Sequence, residues 1–295
     1  MWIVNNRKIF YTFSGIMVLI SILAMLVYGF NLGIDFKGGS LLEINYIQEK
    51  PELMAINSVL APLKVDASAR ATGEKGYIIR MKSLIESERV GVIKALSLNN
   101  TFKFEEKRFD SIGALLGSEA AKKSVTSVVF VIIAIVFFIA FAFRHVSKPV
   151  SSWKYGVVAV IALIHDVIVP TGIFIVLGHF KGFEIDTLFV TALLVILGFS
   201  VHDTIVVFDR VRENLKVQKN KKFAEIVGES ISQTFTRSIN TSLTVVLSLL
   251  VLYFFGGEIT HNFTLTLLIG IIAGTYSSIF IGSPLLVTLE KWQNK

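Results

Sequence analysis

Six stretches of the chain are apolar almost without a break, at 9–30, 125–143, 155–177, 187–208, 238–255 and 263–289. A hydrocarbon core about 30 Å thick takes roughly 20 residues of helix at about 1.5 Å each, so the pattern predicts six membrane-spanning helices. The first run exceeds the roughly 7–15 apolar residues of a signal peptide, and no A-x-A-like cleavage site follows it, so a retained anchor helix is expected. Between the first and second spans the pattern changes to short alternating runs. Strands are predicted near 40–47, 64–71, 77–82 and 101–109, with helices near 52–60 and 86–98 and a turn at 73–76. The order β-α-β-β-α-β implies a ferredoxin-like sandwich, and 113–124 reads as a helical lead-in to the second span.

The predicted organisation is therefore a polytopic α-helical membrane protein carrying an external α+β domain. Residues 1–30 form the N-terminus and first span, 31–124 the external domain, and 125–295 a five-helix bundle with a basic loop at 209–237 and a short C-terminus. In that loop Phe223, Ile226, Val227, Ile231 and Phe235 recur at helical spacing, while Lys221, Lys222, Glu225 and Glu229 take other positions. This predicts an amphipathic helix, lying either on the membrane interface or against the bundle.

Composition agrees with a membrane class: of 295 residues 53% are hydrophobic and 17% charged, with a mean hydropathy of +0.66, too apolar for a soluble enzyme. The net charge of +7 follows the loops. Arg7 and Lys8 precede the first span, and Arg144, Lys148 and Lys154 lie between the second and third. Arg210, Arg212, Lys216, Lys219, Lys221, Lys222 and Arg237 lie between the fourth and fifth, and Lys291 and Lys295 end the chain. The opposite side has only Lys181 in its short loops, so both termini are expected in the cytoplasm, facing anionic lipid rather than nucleic acid. With no cysteine, disulfides, thiolate metal sites and thiol nucleophiles are excluded.

The informative residues are the ionisable ones inside the spans, because an Asp at mid-membrane costs about 2.5–3.5 kcal/mol on insertion scales. His165-Asp166 lies in the third span and His202-Asp203 in the fourth. Counted from the predicted ends, Asp166 is about 16 Å deep and Asp203 about 7.5 Å. Arg237 opens the fifth span and could reach toward Asp203, and Asn240, Thr241, Thr244 and Ser248 continue inward from it as a polar stripe. Ser200 and Thr204 flank Asp203 on the fourth span. The expected role is proton binding. Adjacent His and Asp point about 100° apart on a helix, which weighs against a metal site, and a depth difference of about 8 Å weighs against an aspartyl protease. No catalytic residue, metal or organic cofactor is expected; the coupling ion is a proton, with sodium the alternative. No Walker sequence occurs, so an ion gradient is the energy source.

Two further patterns are structural. Gly270, Gly274, Ser278 and Gly282 recur every fourth residue of the sixth span and predict close helix packing. Gly33, Asp35, Gly38 and Gly39 predict a tight turn coupling the first helix to the external domain. Pro170, four residues beyond Asp166, frees a backbone carbonyl near that carboxylate.

GIDFKGGS at 33–40, HDVIV at 165–169, SVHDTIVVFDRVREN at 200–214, SQTFTRSINTSLT at 232–244, FFGG at 254–257 and LIGIIAGTYSSIFIGSPL at 268–285 together resemble the SecD/SecF family of the bacterial protein-export machinery, itself similar to resistance-nodulation-division transporters. The resemblance implies a subunit of the cytoplasmic (inner) membrane that pairs with SecD into a twelve-helix pseudosymmetric unit beside the SecYEG channel. YajC and YidC are implied as further partners. The pair is implied to use inward proton flow, or sodium in some members, to promote late steps in the export of unfolded polypeptides. By position Asp203 and Arg237 correspond to the family's ion-coupling residues, and Asp166 to the aspartate of its H-D-V segment. The family commonly has Asn where this chain has His202, which either joins the relay or, as preferred here, donates the same hydrogen bond. The alternatives are a proton-coupled transporter of small amphipathic molecules and a scaffold without ion coupling.

Overall fold

Leu42, Ile44 and Tyr46 are buried along strand β1 (Gly39–Tyr46), and Leu41, Glu43 and Asn45 between them are only partly covered. This alternation fixes the inner face of the strand. In the computed structural model, which describes residues 1–98, 101–144, 151–218 and 220–293, β1 lies between β3 (Gly76–Met81) and β4 (Phe104–Ile112). Both pairings are antiparallel, and β2 (Ser68–Thr72) adds to the far side of β3, giving the order β2-β3-β1-β4. Ile56 and Leu60 of α4 (Leu53–Leu60) and Val92 and Leu96 of α5 (Glu86–Leu96) close over Leu42, Ile44, Tyr46, Tyr77 and Ile79 as one core. The topology is the ferredoxin-like one.

Two strands differ in extent from the sequence reading. β2 starts at Ser68 rather than 64, because Ala61–Leu63 forms a 3₁₀ turn and Lys64 and Asp66 take left-handed angles, φ 52° and 49°. β4 runs on to Ile112 because Gly39, Ser40 and Leu41 of β1 take Ile112, Ser111 and Asp110 as partners, and it accommodates an extra residue, Lys107, opposite Glu43/Ile44.

The chain divides into two compact units, residues 1–31 with 126–295 and residues 32–125. In the second unit a short helix α3 (Ile34–Lys37) leads into Gly38 and Gly39, at φ 77° and 128°. A Cβ on Gly38 would lie 2.6 Å from Ala114 Cα, and one on Gly39 would lie 2.8 Å from the Met81 carbonyl. These two positions require glycine. Gly33, at φ −72°, does not, and Asp35 lies within α3.

The first unit holds the membrane helices. Among the described residues, six helices are long and apolar enough to cross a bilayer: α2 (Arg7–Tyr28), α6 (Ala114–Ala142), α7 (Ser152–Lys181), α8 (Thr187–Val217), α9 (Phe223–Phe255), and a last one built from α10 (Glu258–Ser277), a π turn at Ser278–Gly282 and α11 (Ser283–Gln293). A short helix, α1 (Trp2–Asn5), precedes them and buries Val4. The apolar windows of α7, α8 and α10–α11 are at least half buried, whereas those of α2, α6 and α9 are 17%, 6% and 11% buried, so the last three form the wall. Ile9, Phe13, Ile16, Leu23, Phe130 and Phe137 face outward, as lipid requires. At one end of the bundle Tyr155 stacks on Phe143, centroids 5.2 Å apart, and meets Phe208 edge-on at 5.2 Å.

The basic segment and the fifth span are one helix, α9, since nothing between Phe223 and Ser238 breaks helical geometry. Phe223, Val227 and Ile231 are buried in the bundle core and Ile226 beside them, so the amphipathic face packs on protein; Phe235 is exposed. α8 likewise continues past 208 to Val217. Asn214 Nδ2 donates to Ser230 Oγ at 2.8 Å and to Gln233 Oε1 at 2.9 Å, and Arg210 Nε donates to Gln233 Oε1 at 2.6 Å. Gln218 Nε2 and Lys221 Nζ donate to Glu229 at 3.1 and 2.7 Å. This ladder ties the extended ends of α8 and α9. Lys148, Lys219 and Lys295, counted in the charge argument, lie outside the described residues.

Candidate functional site

Asp166 is completely buried on α7. Its Oδ2 accepts hydrogen bonds from Ser200 Oγ of α8 and, at 2.7 Å, from Ser277 Oγ of α10; His165 Nδ1 lies 2.9 Å from Oδ1. The expectation that adjacent His165 and Asp166 share no face is corrected here: their Cβ bonds diverge, but the imidazole and carboxyl ends lean together where the interior offers few other polar partners. His165 also faces Tyr276, ring centroids 6.1 Å apart, and the Tyr276 hydroxyl accepts from Ser14 of α2 at 3.1 Å.

Asp203, 2% exposed on α8, forms a second centre. Ser242 Oγ of α9 lies 3.4 Å from its Oδ2 and 2.6 Å from Thr275 Oγ1 of α10. Since Ser200 touches Asp166, and Asp203 is three residues further along α8, the carboxylates are offset by about 4.5 Å along that helix. The expected offset of about 8 Å was counted from a span ending at 208, whereas α8 ends at Val217. Each carboxylate keeps its own hydroxyl partners, and the two share no hydrogen bond.

Both centres depend on how α10 meets α8. Gly270 lies against Ile196, a Cβ on Gly274 would sit 3.0 Å from Ser200 Cβ, and Ser278 Oγ is 2.8 Å from Thr204 Oγ1. The two helices run in the same direction in register, 196, 200 and 204 against 270, 274 and 278. The predicted small-residue stripe packs on the fourth span, and only Gly282 turns to the third, near Val158 and Ala162.

The predicted site residues are thus only partly gathered. His165, Asp166 and Ser200 form one centre; Asp203 forms the other, and Thr204 joins the α8–α10 seam. Arg237 and His202 are both exposed and neither makes a hydrogen bond or ion pair with Asp203, although both lie within electrostatic reach of it. Asn240 and Thr244 are exposed and Thr241 only partly covered, with Thr244 bonding back to the Asn240 carbonyl at 2.8 Å. The expected inward stripe is corrected: it runs along the outer face of α9, and the inward face carries Ser238 and Ser242. Ser242 and Ser277 were missed as partners of the acids, and Thr275 as a partner of Ser242. Among the described residues, no group of three or more His, Asp or Glu could hold a metal ion.

Compared with known families, residues 92–292 match the profile described as "Protein export membrane protein SecD/SecF, C-terminal", and residues 23–46 match "SecD/SecF GG Motif". The chain belongs to the SecD/SecF family. The "Protein translocase subunit SecF" of Thermobaculum terrenum is 42% identical over 99% of this chain and 94% of its own length. That of Anaerolinea thermophila is 38% identical over 99% and 96%. Among solved structures, SecDF from Thermus thermophilus, titled a translocon-associated membrane protein, superposes with a TM-score of 0.84 at 28% identity, and SecDF in a super-membrane-facing form with 0.70. This SecD/SecF family member covers 99% of itself but 38% of the first of those longer chains. Its glycine-motif match includes Gly38 and Gly39, the two positions whose backbone geometry demands glycine.

Proposed function

We propose that this chain is an accessory subunit of the Sec protein translocase that, paired with SecD, uses the proton-motive force to promote late steps of protein export across the cytoplasmic membrane. One observation carries the ion-coupling part: two carboxylates are buried inside a membrane bundle, Asp166 met by two hydroxyl groups and Asp203 by one from neighbouring helices. Acids at that depth are expensive and mark ion pathways. The export part is supported by relatives named as translocase subunits over nearly the whole chain. One charge crossing about 100 mV supplies about 2.3 kcal/mol, enough to bias a two-state change.

In this reading Asp203 and Asp166 take up and release the ion, with His165 and the hydroxyls of Ser200, Ser242 and Ser277 as their partners and Thr275 behind Ser242. A hydroxyl partner can donate to an ionised carboxyl and accept from a protonated one, which supports a proton as the coupling ion. Arg237 and the polar outer face of α9 are turned toward SecD, since lipid cannot satisfy them. Both termini face the cytoplasm, and SecYEG, YajC, YidC, the emerging polypeptide and membrane lipids complete the surroundings. A transporter of small amphipathic molecules is less well supported, since the relatives that match over nearly the whole chain are named as translocase subunits.

The test is ion flux in proteoliposomes containing this chain and SecD, under a proton and then a sodium gradient, with wild type, Asp203→Asn and Arg237→Met compared, alongside export in cells. Proton flux and export that both require Asp203 are expected. Unchanged export in both variants, under conditions where deletion impairs it, would overturn the reading.

A further inference from the structure

The Ser277 hydroxyl has one hydrogen and two acceptors within reach, Asp166 Oδ2 at 2.7 Å and the Gly274 carbonyl at 3.0 Å. It can serve only one well at a time. The Gly274 carbonyl is also an acceptor for the Ser278 backbone N–H, which is divided between it and the Thr275 carbonyl. From Ser278 the α-helix gives way to the π turn of Ser278–Gly282, closed by the Ser283 N–H on the Ser278 carbonyl and by Ser283 Oγ on the same carbonyl at 2.9 Å. Single π turns within α-helices concentrate at functional sites.

We propose that Ser277 is a positioning residue that carries the protonation state of Asp166 to the α-to-π junction of the last helix. The proposal rests on the reading of Asp166 as an ion-coupling group. With the carboxyl ionised, Ser200 and Ser277 both donate to Oδ2. A proton arriving on Oδ2 turns that oxygen into a donor; Ser277 then accepts, and its own hydrogen swings to the Gly274 carbonyl. There it competes with the Ser278 N–H and weakens the last α-type bond before the π turn. No proton leaves Ser277, whose O–H only rotates, and the proton bound by Asp166 is the one later released. Ser278 carries the change onward, because its Oγ meets Thr204 Oγ1 at 2.8 Å and donates to the Ser200 carbonyl at 3.2 Å. The junction is thereby linked to the segment of α8 that bears Asp203.

The other titratable groups around Asp166 are few. His165 is beside it on α7, Asp203 and the exposed His202 follow Ser200 on α8, and Tyr276 precedes Ser277 on α10 with its hydroxyl turned to Ser14 and the Phe10 carbonyl of α2. Among the described residues no Lys or Arg pairs with Asp166.

The experiment uses this chain reconstituted with SecD in proteoliposomes. Amide exchange across 274–283, corrected for its intrinsic pH dependence, is measured at pH values on either side of the infrared titration of the buried carboxyl band, with proton flux recorded in the same vesicles. In wild type, protection at 278–282 is expected to fall roughly fivefold on protonation, the worth of one net hydrogen bond. Ser277→Thr should keep the fall, and Ser277→Ala and Asp166→Asn should abolish it. Wild-type protection that does not change with pH, or a full response in Ser277→Ala, overturns the proposal; should Ser277→Ala fail to assemble, the wild-type and Asp166→Asn measurements decide. Flux that needs Asp203 beside pH-independent protection removes the Ser277 role alone, whereas absence of flux removes the ion-coupling reading with it.

Discussion

Gly274 of α10 faces Ser200 of α8 so closely that a Cβ added to the glycine would lie 3.0 Å from the serine Cβ. Ser200 in turn donates to Asp166, so helix packing and the acidic centre share one residue. Gly270, a turn earlier, is pressed on the Ile196 side chain. Membrane helices lack a hydrophobic drive to associate and depend on such close approach. Gly270→Leu and Gly274→Leu should therefore each reduce the yield of assembled complex with SecD by more than tenfold. Gly91 of α5 meets nothing within 4 Å of an added Cβ. Gly91→Ala should raise the thermal stability of its unit by about 0.5–1 kcal/mol. Normal assembly of both leucine variants in pull-downs would count against the seam.

The α8–α9 ladder gives a second expectation. Asn214 is 6% exposed and uses its amide on both Ser230 and Gln233. Removing it takes away both bonds, although Gln233 Oε1 keeps Arg210 and Ser230 Oγ keeps the Ile226 carbonyl, a net loss of about 0.5–1.5 kcal/mol for each bond. Asn214→Leu should therefore lower the melting temperature and increase proteolysis at 215–222, whereas Lys221→Ala, which breaks only an exposed contact with Glu229, should do neither. Equal melting temperatures for Asn214→Leu and wild type would dismiss the ladder.

What the sequence made legible follows from which signals are local. The spans and the β-α-β-β-α-β order are written in runs and alternation, as in Leu42, Ile44 and Tyr46, and the structure has both. The ends were less legible: the basic residues after Phe208 suggested a loop, yet α8 runs to Val217 because its polar side chains are satisfied by α9 rather than by water. The acids stood out by their cost in lipid, but their partners did not. Ser277 did not stand out, because a hydroxyl on a membrane helix looks the same whether it meets a carboxylate or its own backbone. Asn240 and Thr244 misled for the converse reason: a polar stripe on α9 can face a partner subunit as well as the interior. A pointer existed, since a buried acid needs several donors and the last span sets Thr275, Ser277 and Ser278 within four residues, as the fifth sets Thr241, Ser242 and Thr244.

The α+β unit should lose stability in alkali. Tyr46 and Tyr77, each 2% exposed, donate to the Leu96 carbonyl at 2.9 Å and the Pro51 carbonyl at 2.5 Å. Burial pushes both phenols above their usual range, reinforced for Tyr46 by Tyr77 and for Tyr77 by the Glu52 charge. The sign follows: the unfolded chain ionises them near pH 10 while the folded chain keeps them neutral, so their contribution is full below about pH 10 and is lost as pH rises toward the folded values. Of the seven tyrosines, the two in this unit should ionise only as it unfolds, seen as a late step in tyrosinate absorbance. Tyr46→Phe should remove part of that step. A single early transition that includes all seven would refute the assignment.

His202 offers the sharpest contrast within one dipeptide. It is exposed while Asp203 beside it is 2% exposed. A titratable relay member would have to bond into the centre formed with Ser242 and Thr275, and the imidazole, though within electrostatic reach of Asp203, points about 100° away round α8. His202→Asn should therefore keep at least half of the wild-type proton flux and leave its pH profile in place, and His202→Ala should do the same. Asp203→Asn should lower flux more than a hundredfold. A shift of about one pH unit in the flux profile of His202→Asn would instead make the imidazole part of the pathway, because removing a charge that sits close to a carboxylate moves the carboxylate's titration by an amount of that order.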